Sequence, residues 1–146
     1  MPLSISSELV DSVKLGEGLR LRAYQDTKGV WTVGYGTNLQ ELCINEDLAE
    51  RWLIEKLVEA EGYAKGFGFY PSLSQPRKDV IVEMVYNLGL TRFRGFGKML
   101  TALSRGDYDA AKAEMLDSDW HRRDVGKRAE RLAEQMRSGQ YAGING

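Results

Sequence analysis

The 146-residue chain has few of the residues that build disulfides, metal centres or histidine-based active sites. It holds one cysteine, Cys43, and one histidine, His121. A single cysteine cannot form an internal disulfide, and neither residue has a second ligand at metal-binding spacing, so we expect no cofactor and no metal. No nucleophile motif accompanies His121, which argues against a serine-hydrolase triad. We therefore interpret Cys43 as a buried small hydrophobe and His121 as a surface residue.

Long apolar runs and an excess of one charge are also missing. No stretch approaches the roughly 18 apolar residues of a membrane helix, so we expect no membrane insertion. Residues 1–14 lack a positively charged start and a small-residue cleavage site, which argues against a secretory signal and predicts synthesis in a cytoplasm. The formal net charge of −1 gives no general attraction to polyanions, and we expect no nucleic-acid partner.

What the chain does have is a change of hydrophobic period. Residues 7–15 repeat at helical spacing after a capping serine, residues 21–35 alternate with a period of two around a turn at residues 26–29, and helical spacing returns from residue 45. After residue 37 no further strand is predicted. The Gly/Pro/Ser-rich residues 66–76 are the one plausible hinge or lobe boundary.

These periods predict an α+β fold with a small N-terminal β-lobe, a long interlobe helix and a larger helical C-terminal lobe. We expect residues 1–146 to form a single domain. Its β-lobe would cover roughly residues 15–45, and residues 1–14 would join residues 66–146 in the helical lobe. The helix over residues 45–64 would connect the two lobes.

One segment combines two carboxylates and a hydroxyl: EGLRLRAYQDTKGVWTVGYGT, residues 17–37. Glu17 follows a predicted helix, whose negative end disfavours a charged carboxylate, as a general acid requires. Asp26 lies in a polar turn that favours its anion, and Thr32 on the returning strand offers a hydroxyl to hold a water. Glycoside hydrolysis uses such a pair of carboxylates. On spacing alone, a solvated glutamate, a turn aspartate and an ordinary strand threonine explain the same pattern.

The pattern E-x8-D-x5-T and its filling are similar to the catalytic segment of phage lysozymes of the T-even type, glycoside hydrolase family 24. The similarity extends over nearly the whole chain. INEDLAE (residues 44–50) resembles the start of the family's interlobe helix, and MVYNLG (residues 84–89) resembles its central core helix. DW (residues 119–120), RAER (residues 128–131) and RSG (residues 137–139) resemble its C-terminal region. The resemblance implies a lysozyme-like fold.

The resemblance also implies a function, which is hydrolysis of the β-1,4 bond between N-acetylmuramic acid and N-acetylglucosamine in peptidoglycan. Glu17 would be the general acid, Asp26 the second carboxylate and Thr32 a ligand of the attacking water, with inversion at the anomeric carbon. We expect a monomeric endolysin that is made in the host cytoplasm. It would reach the cell wall in the periplasm once a holin has permeabilised the membrane, and so lyse the bacterium.

Further site residues follow from the resemblance. The family's substrate-contacting positions fall on Asn38, Tyr86, Met99 and Glu114, of which only Tyr86 keeps the family's character; Met99 and Glu114 could equally be packing and surface residues. Arg128 matches the arginine that pairs with the acid, after one inserted residue is allowed for.

The chain departs from the family pattern at two places. Thr37 replaces a histidine found in many relatives, and the segment after it is shorter than in the T-even enzyme.

Two other functions remain open. The fold could have become a non-catalytic wall-binding or tail-associated module. Thr37 and the shortened lobe are the reasons for considering this alternative. Alternatively, a lytic transglycosylase could use Glu17 alone.

Overall fold

The computed structural model describes residues 4–143, and these residues separate into two compact units that divide between Ala49 and Glu50. The division falls in the first turn of a helix, and not in the Gly/Pro/Ser-rich loop that we expected at a lobe boundary. The first helix clusters with the strands, whereas the sequence prediction grouped residues 1–14 with the helical lobe. The single-domain assignment stays a prediction.

Helix α1 of the N-terminal unit, Ser7–Glu17, begins and ends where the sequence predicts. Ser6 caps it, because its hydroxyl accepts the backbone N–H of Leu9 at 3.1 Å. Gly18 ends it with a positive φ of 73°, a conformation that glycine adopts without the steric cost of a side chain. The backbone N–H of Gly18 donates to the carbonyl of Lys14.

A three-stranded antiparallel sheet follows, in the order β1 (Arg20–Gln25), β2 (Trp31–Gly34) and β3 (Thr37–Asn38). The first two strands and their turn agree with the period-two prediction. The prediction that no strand follows residue 37 is wrong. Strand β3 has two residues, too few to show an alternating pattern, and it forms because β2 offers an unpaired edge.

Helix α2, Glu46–Ala64, matches the predicted interlobe helix. The side chain of Asn45 caps it by accepting the backbone N–H of Leu48 at 2.8 Å. Glu46 and Asp47 in the first turn complement the positive end of the helix dipole. The capping residue and the acids are local signals, and for this reason the start of the helix is readable from sequence.

The C-terminal unit is helical. After α2 come a 3₁₀-helix (Tyr70–Ser72), α3 (Gln75–Leu88), α4 (Leu90–Arg94), α5 (Gly97–Ser104), α6 (Tyr108–Leu116), a π-helical turn (Trp120–Asp124) and α7 (Gly126–Ser138). Their apolar faces enclose one core. Its largest fully buried side chains are Trp120, Phe93, Ile81, Met84, Met99, Met115, Leu132, Met136 and Val80. Apolar residues at helical spacing over residues 80–88, 96–103, 108–116 and 129–136 predict the four longer helices, whereas α4 and the π-helical turn, with five residues each, are not predicted.

The segment of residues 66–76 belongs to this core. Phe69, Tyr70 and Leu73 are buried, and the rings of Phe67 and Phe69 stack with centroids 5.5 Å apart. Its glycines and prolines gave it the composition of a hinge, but its aromatic side chains pack inward.

The described elements confirm the predicted α+β class. Cys43 is exposed, which corrects its interpretation as a buried residue. Within residues 4–143, no helix has both the length and the apolar character needed to span a membrane.

Candidate active site

Glu17 is the last residue of α1, and its carboxylate lies against the turn between β2 and β3. A Cβ atom at Gly36 would stand 2.5 Å from Glu17 Oε2 and 3.0 Å from Cδ. Gly36 has a φ of +79°, so both its backbone conformation and its neighbour favour glycine. The carboxylate at the end of α1 therefore contacts the β2–β3 connection at Gly36, which has no side chain. The sequence indicates a close approach or a bend at Gly36, but not that Glu17 is the side chain it contacts, because that contact depends on how the strands return.

Asp26 begins the β1–β2 turn. Its Oδ1 accepts the backbone N–H groups of Lys28 at 2.8 Å and Val30 at 2.9 Å. The Asp26 N–H in turn donates to the carbonyl of Val30 at 2.9 Å. Both N–H groups belong to the turn that Asp26 begins, so the turn fixes the direction of its carboxylate. The same contacts also make it an Asx-turn residue.

Thr32 is 5% exposed, and its hydroxyl donates to the carbonyl of Val30 at 2.9 Å. Val30 therefore binds both side chains, since its N–H donates to Asp26 and its carbonyl accepts from Thr32. A hydroxyl has one donor and two acceptor lone pairs, so this bond leaves the Thr32 oxygen as an acceptor.

The register of the sheet places Thr32 opposite Tyr24 on β1 and opposite Asn38 on β3. Directly opposed residues share one face of a sheet, so Tyr24, Thr32 and Asn38 form a row across all three strands. The Asn38 side chain accepts the backbone N–H of Gln40 at 2.9 Å. Tyr24 was not predicted as a site residue. The guanidinium of Arg20 lies 4.9 Å from the centre of its ring.

The other predicted contact residues lie in the C-terminal unit, at two separate cavities. Met99 and Glu114 line a cavity of about 590 Å³ that also includes Trp120. Tyr86, 43% exposed, lines a second cavity of about 190 Å³ together with Tyr63. Met99 is fully buried, which agrees with the packing role that the sequence left open for it.

Arg128 forms an ion pair within the C-terminal unit. Its Nε donates to Glu83 Oε2 at 2.7 Å, and Arg131 approaches the same oxygen at 3.4 Å. About 30% of each of the three side chains is exposed, so the pairs are partly shielded from solvent. Sequence reasoning did not single out Glu83, because nothing in the α3 pattern indicates that α7 brings two arginines to it.

His121 and Trp120 lie in the π-helical turn. The His121 ring is 26% exposed; its Nδ1 lies 3.0 Å from the carbonyl of Leu116 and its Nε2 lies 3.0 Å from Glu130. This corrects the surface interpretation of His121. Trp120 is 2% exposed and donates its indole N–H to Asn87 at 2.8 Å.

Within residues 4–143, no group of three or more His, Cys, Asp and Glu side chains is arranged to hold a metal ion. What the N-terminal unit offers is a carboxylate at a helix end, a second carboxylate bound by backbone N–H groups, and a threonine tied to the same turn.

Comparisons with known proteins identify the family of the chain. The family model described as phage lysozyme matches residues 14–138. An endolysin of Acyrthosiphon pisum secondary endosymbiont phage 1 is 35% identical over 118 residues, covering 78% of this chain and 79% of the relative. An endolysin of Salmonella phage P22 is 28% identical over 117 residues, covering 75% and 79%.

A third relative has a different name. The pre-baseplate central spike protein Gp5 of Enterobacteria phage T4 is 22% identical over 148 residues, and the match covers 82% of this chain but 26% of the spike protein. Because the family model spans most of the chain and includes the Glu17, Asp26 and Thr32 segment, the chain belongs to the phage lysozyme family.

Proposed function

We propose that the protein is an endolysin that hydrolyses the β-1,4 bond between N-acetylmuramic acid and N-acetylglucosamine in bacterial peptidoglycan. The observation that supports this function most directly is the different surroundings of two carboxylates in one unit. Glu17 ends helix α1 with its carboxylate against Gly36, whereas Asp26 accepts two backbone N–H groups within the β1–β2 turn. Glycosidases use such a pair of carboxylates, one as the general acid and the other as the base that activates a water.

In the proposed reaction Glu17 donates its proton to the glycosidic oxygen as the bond between that oxygen and the anomeric carbon breaks. A water attacks the anomeric carbon from the opposite face, and Asp26 takes the proton that the water loses. The new hydroxyl then has the opposite anomeric configuration, and the mechanism is inverting. No cofactor enters any step.

Thr32 would position the attacking water. Its hydroxyl hydrogen is directed at the Val30 carbonyl, so its oxygen can accept a hydrogen bond from a water. The N–H of the same Val30 donates to Asp26, so Val30 orients both the proposed base and the residue that would bind the water.

Residues outside this group would bind the glycan chain. Asn38 lies in the same row as Thr32, and Tyr86 presents a half-exposed ring suited to packing on a sugar. Glu114 would contact substrate at the rim of the 590 Å³ cavity, with Met99 forming part of the wall behind it. Arg128 is proposed as the partner that adjusts the acidity of the general acid Glu17. Within the C-terminal unit, the carboxylate that Arg128 binds is that of Glu83.

The cellular setting is proposed on the same basis. The protein would act as a monomer on the cell wall after synthesis in the host cytoplasm, and it would depend on a holin to cross the membrane.

Two observations favour alternatives. Both hydrogen bonds to Asp26 lie within its own turn, so Asp26 could be structural, and a lytic transglycosylase would then use Glu17 alone. The similarity to a central spike protein supports a tail-associated wall-binding module.

Two substitutions separate these functions. Glu17→Gln removes the acid and keeps the length of the side chain. Asp26→Asn removes the charge but keeps an oxygen that accepts the N–H groups of Lys28 and Val30, so the turn survives and any loss of turnover reports chemistry. The measurement is the release of reducing ends from purified peptidoglycan, with mass analysis of the sugar products.

We expect both variants to lose turnover at unchanged melting temperature, and the wild type to release hydrated reducing ends. Turnover that survives Asp26→Asn and yields anhydro sugars would show the transglycosylase. Wild-type protein that sediments with cell wall and releases nothing would show the binding module.

A further inference from the structure

Four glycines of the N-terminal unit have positive φ angles, and one of them differs from the rest. At Gly18, Gly29 and Gly34, a Cβ atom would have no heavy atom within 4 Å. At Gly36, it would meet three atoms of one side chain: Glu17 Oε2 at 2.5 Å, Cδ at 3.0 Å and Cγ at 3.6 Å. The first three glycines are therefore required only by backbone conformation, whereas Gly36 is also required by its neighbour.

A contact of 2.5 Å between carbon and oxygen lies far inside the usual separation of non-bonded atoms, about 3.5 Å. With any side chain at residue 36, one of the two partners must move. Gly36 is held in the connection between β2 and β3, with Gly34 ending one strand and Thr37 beginning the next. The Glu17 side chain has three rotatable bonds, so the carboxylate is the part that moves.

We propose that Gly36 is a positioning residue for Glu17: its bare Cα provides the surface against which the acid's carboxylate rests. This inference builds on the proposed function, in which Glu17 protonates the leaving oxygen. General acid catalysis needs the acid within hydrogen-bond reach of that oxygen, and a displacement of about 1 Å can lower turnover about 100-fold.

Gly34 provides a matched control. Both residues flank Tyr35, both have positive φ angles, +69° for Gly34 and +79° for Gly36, and an alanine at either one carries a comparable backbone strain. Only the alanine at residue 36 reaches Glu17. The comparison therefore separates displacement of the acid from strain in the β2–β3 connection.

The experiment measures kcat and KM for peptidoglycan hydrolysis by the wild type, Gly34→Ala and Gly36→Ala, with thermal melts of all three. We expect Gly36→Ala to lower kcat about 100-fold with KM within about twofold, because the glycan still binds while the acid is misplaced. Gly34→Ala should lose a similar amount of thermal stability and keep kcat within about threefold. If the two alanine variants lose kcat equally, the inference is overturned.

The same two glycine substitutions in a Glu17→Ala background keep the test decisive if Gly36→Ala folds poorly. Glu17→Ala removes the side chain that the new Cβ would meet. In this background, Gly36→Ala should therefore lower the melting temperature only as much as Gly34→Ala does. An unchanged loss would overturn the inference. A wild type that releases no reducing ends would overturn the proposed function and this inference with it, whereas an active wild type with equal alanine variants overturns this inference alone.

Discussion

The hydroxyl of Thr32 donates to the backbone carbonyl of Val30 at 2.9 Å. This bond fixes the rotamer of a side chain that is 5% exposed, and it determines which way the free lone pairs of the oxygen point. The N–H of the same Val30 donates to Asp26, so one residue in the strand-to-turn connection orients two proposed members of the active site.

Thr32→Val should lower turnover about 100-fold, because valine keeps the shape of the side chain but cannot accept a hydrogen bond from the attacking water. Thr32→Ser keeps the hydroxyl and should retain most of the turnover. Hydrolysis rates and thermal melts of the two variants are the measurement. Equal rates for Thr32→Val and the wild type would contradict the proposed water site.

A pH prediction follows from Glu134 on α7. The hydrogen bond from Arg137, and then that from Lys112 at 2.8 Å, lower the pKa of Glu134 from 4.5 to about 2. In the unfolded chain these partners are absent, so folding favours the ionised carboxylate. The stabilisation is fully present above pH 4.5 and is lost as the pH falls towards 2.

Glu134→Gln should therefore make the melting temperature depend less on pH between pH 4.5 and pH 2 than it does in the wild type. Melting curves at half-unit pH steps in low salt are the measurement. Glu55→Gln, on the exposed face of α2, is the control for a changed net charge. Parallel curves for Glu134→Gln and the wild type would contradict the assignment.

The side chain of Arg77 caps the C-terminal end of α7. Its guanidinium donates to the carbonyls of Met136 at 2.7 Å and Arg137 at 2.8 Å, and it lies 3.6 Å from the centre of the Tyr108 ring. These carbonyls are among the last of the helix, which have no partner within it.

Arg77→Ala should lower the free energy of unfolding by about 2–4 kcal/mol, because it removes two charged hydrogen bonds and a cation–π contact. Arg77→Lys should lie between this variant and the wild type, since an ammonium lacks the planar fork that reaches two carbonyls. Urea unfolding is the measurement, with Lys78→Ala as the neighbouring control. An Arg77→Ala midpoint equal to that of Lys78→Ala would show that the cap contributes little.

The buried indole of Trp120 depends on Asn87 for its hydrogen bond. Asn87→Leu leaves that N–H without its partner and should cost about 1–3 kcal/mol of stability. Adding Trp120→Phe removes the unsatisfied donor, so the double variant should be less destabilised than the sum of the single ones. Denaturant unfolding of all four proteins measures the coupling, and strict additivity would mean that the bond does not contribute.

Much of this fold was readable because its signals are local. Capping residues such as Ser6 and Asn45, glycines at helix ends, and apolar residues at periods of two or 3.6 predicted α1, β1, β2, α2 and the longer C-terminal helices. Strand β3, α4 and the π-helical turn were missed because two to five residues are too few for a periodic pattern to repeat. The segment of residues 66–76 was misjudged, since its composition resembles a hinge while its aromatic residues enter the core.

The amino-acid sequence by itself determined which residues carry the proposed chemistry, because Glu17, Asp26 and Thr32 lie in one short segment within the region that matches the phage lysozyme family. Only the tertiary structure decided what each of them touches. The connection between β2 and β3 places Gly36 against the carboxylate of Glu17, and the packing of α7 on α3 brings Arg128 into hydrogen-bond contact with Glu83. Such contacts join residues 19 and 45 positions apart, where no local periodicity or capping signal operates, and they form only when the chain folds back on itself.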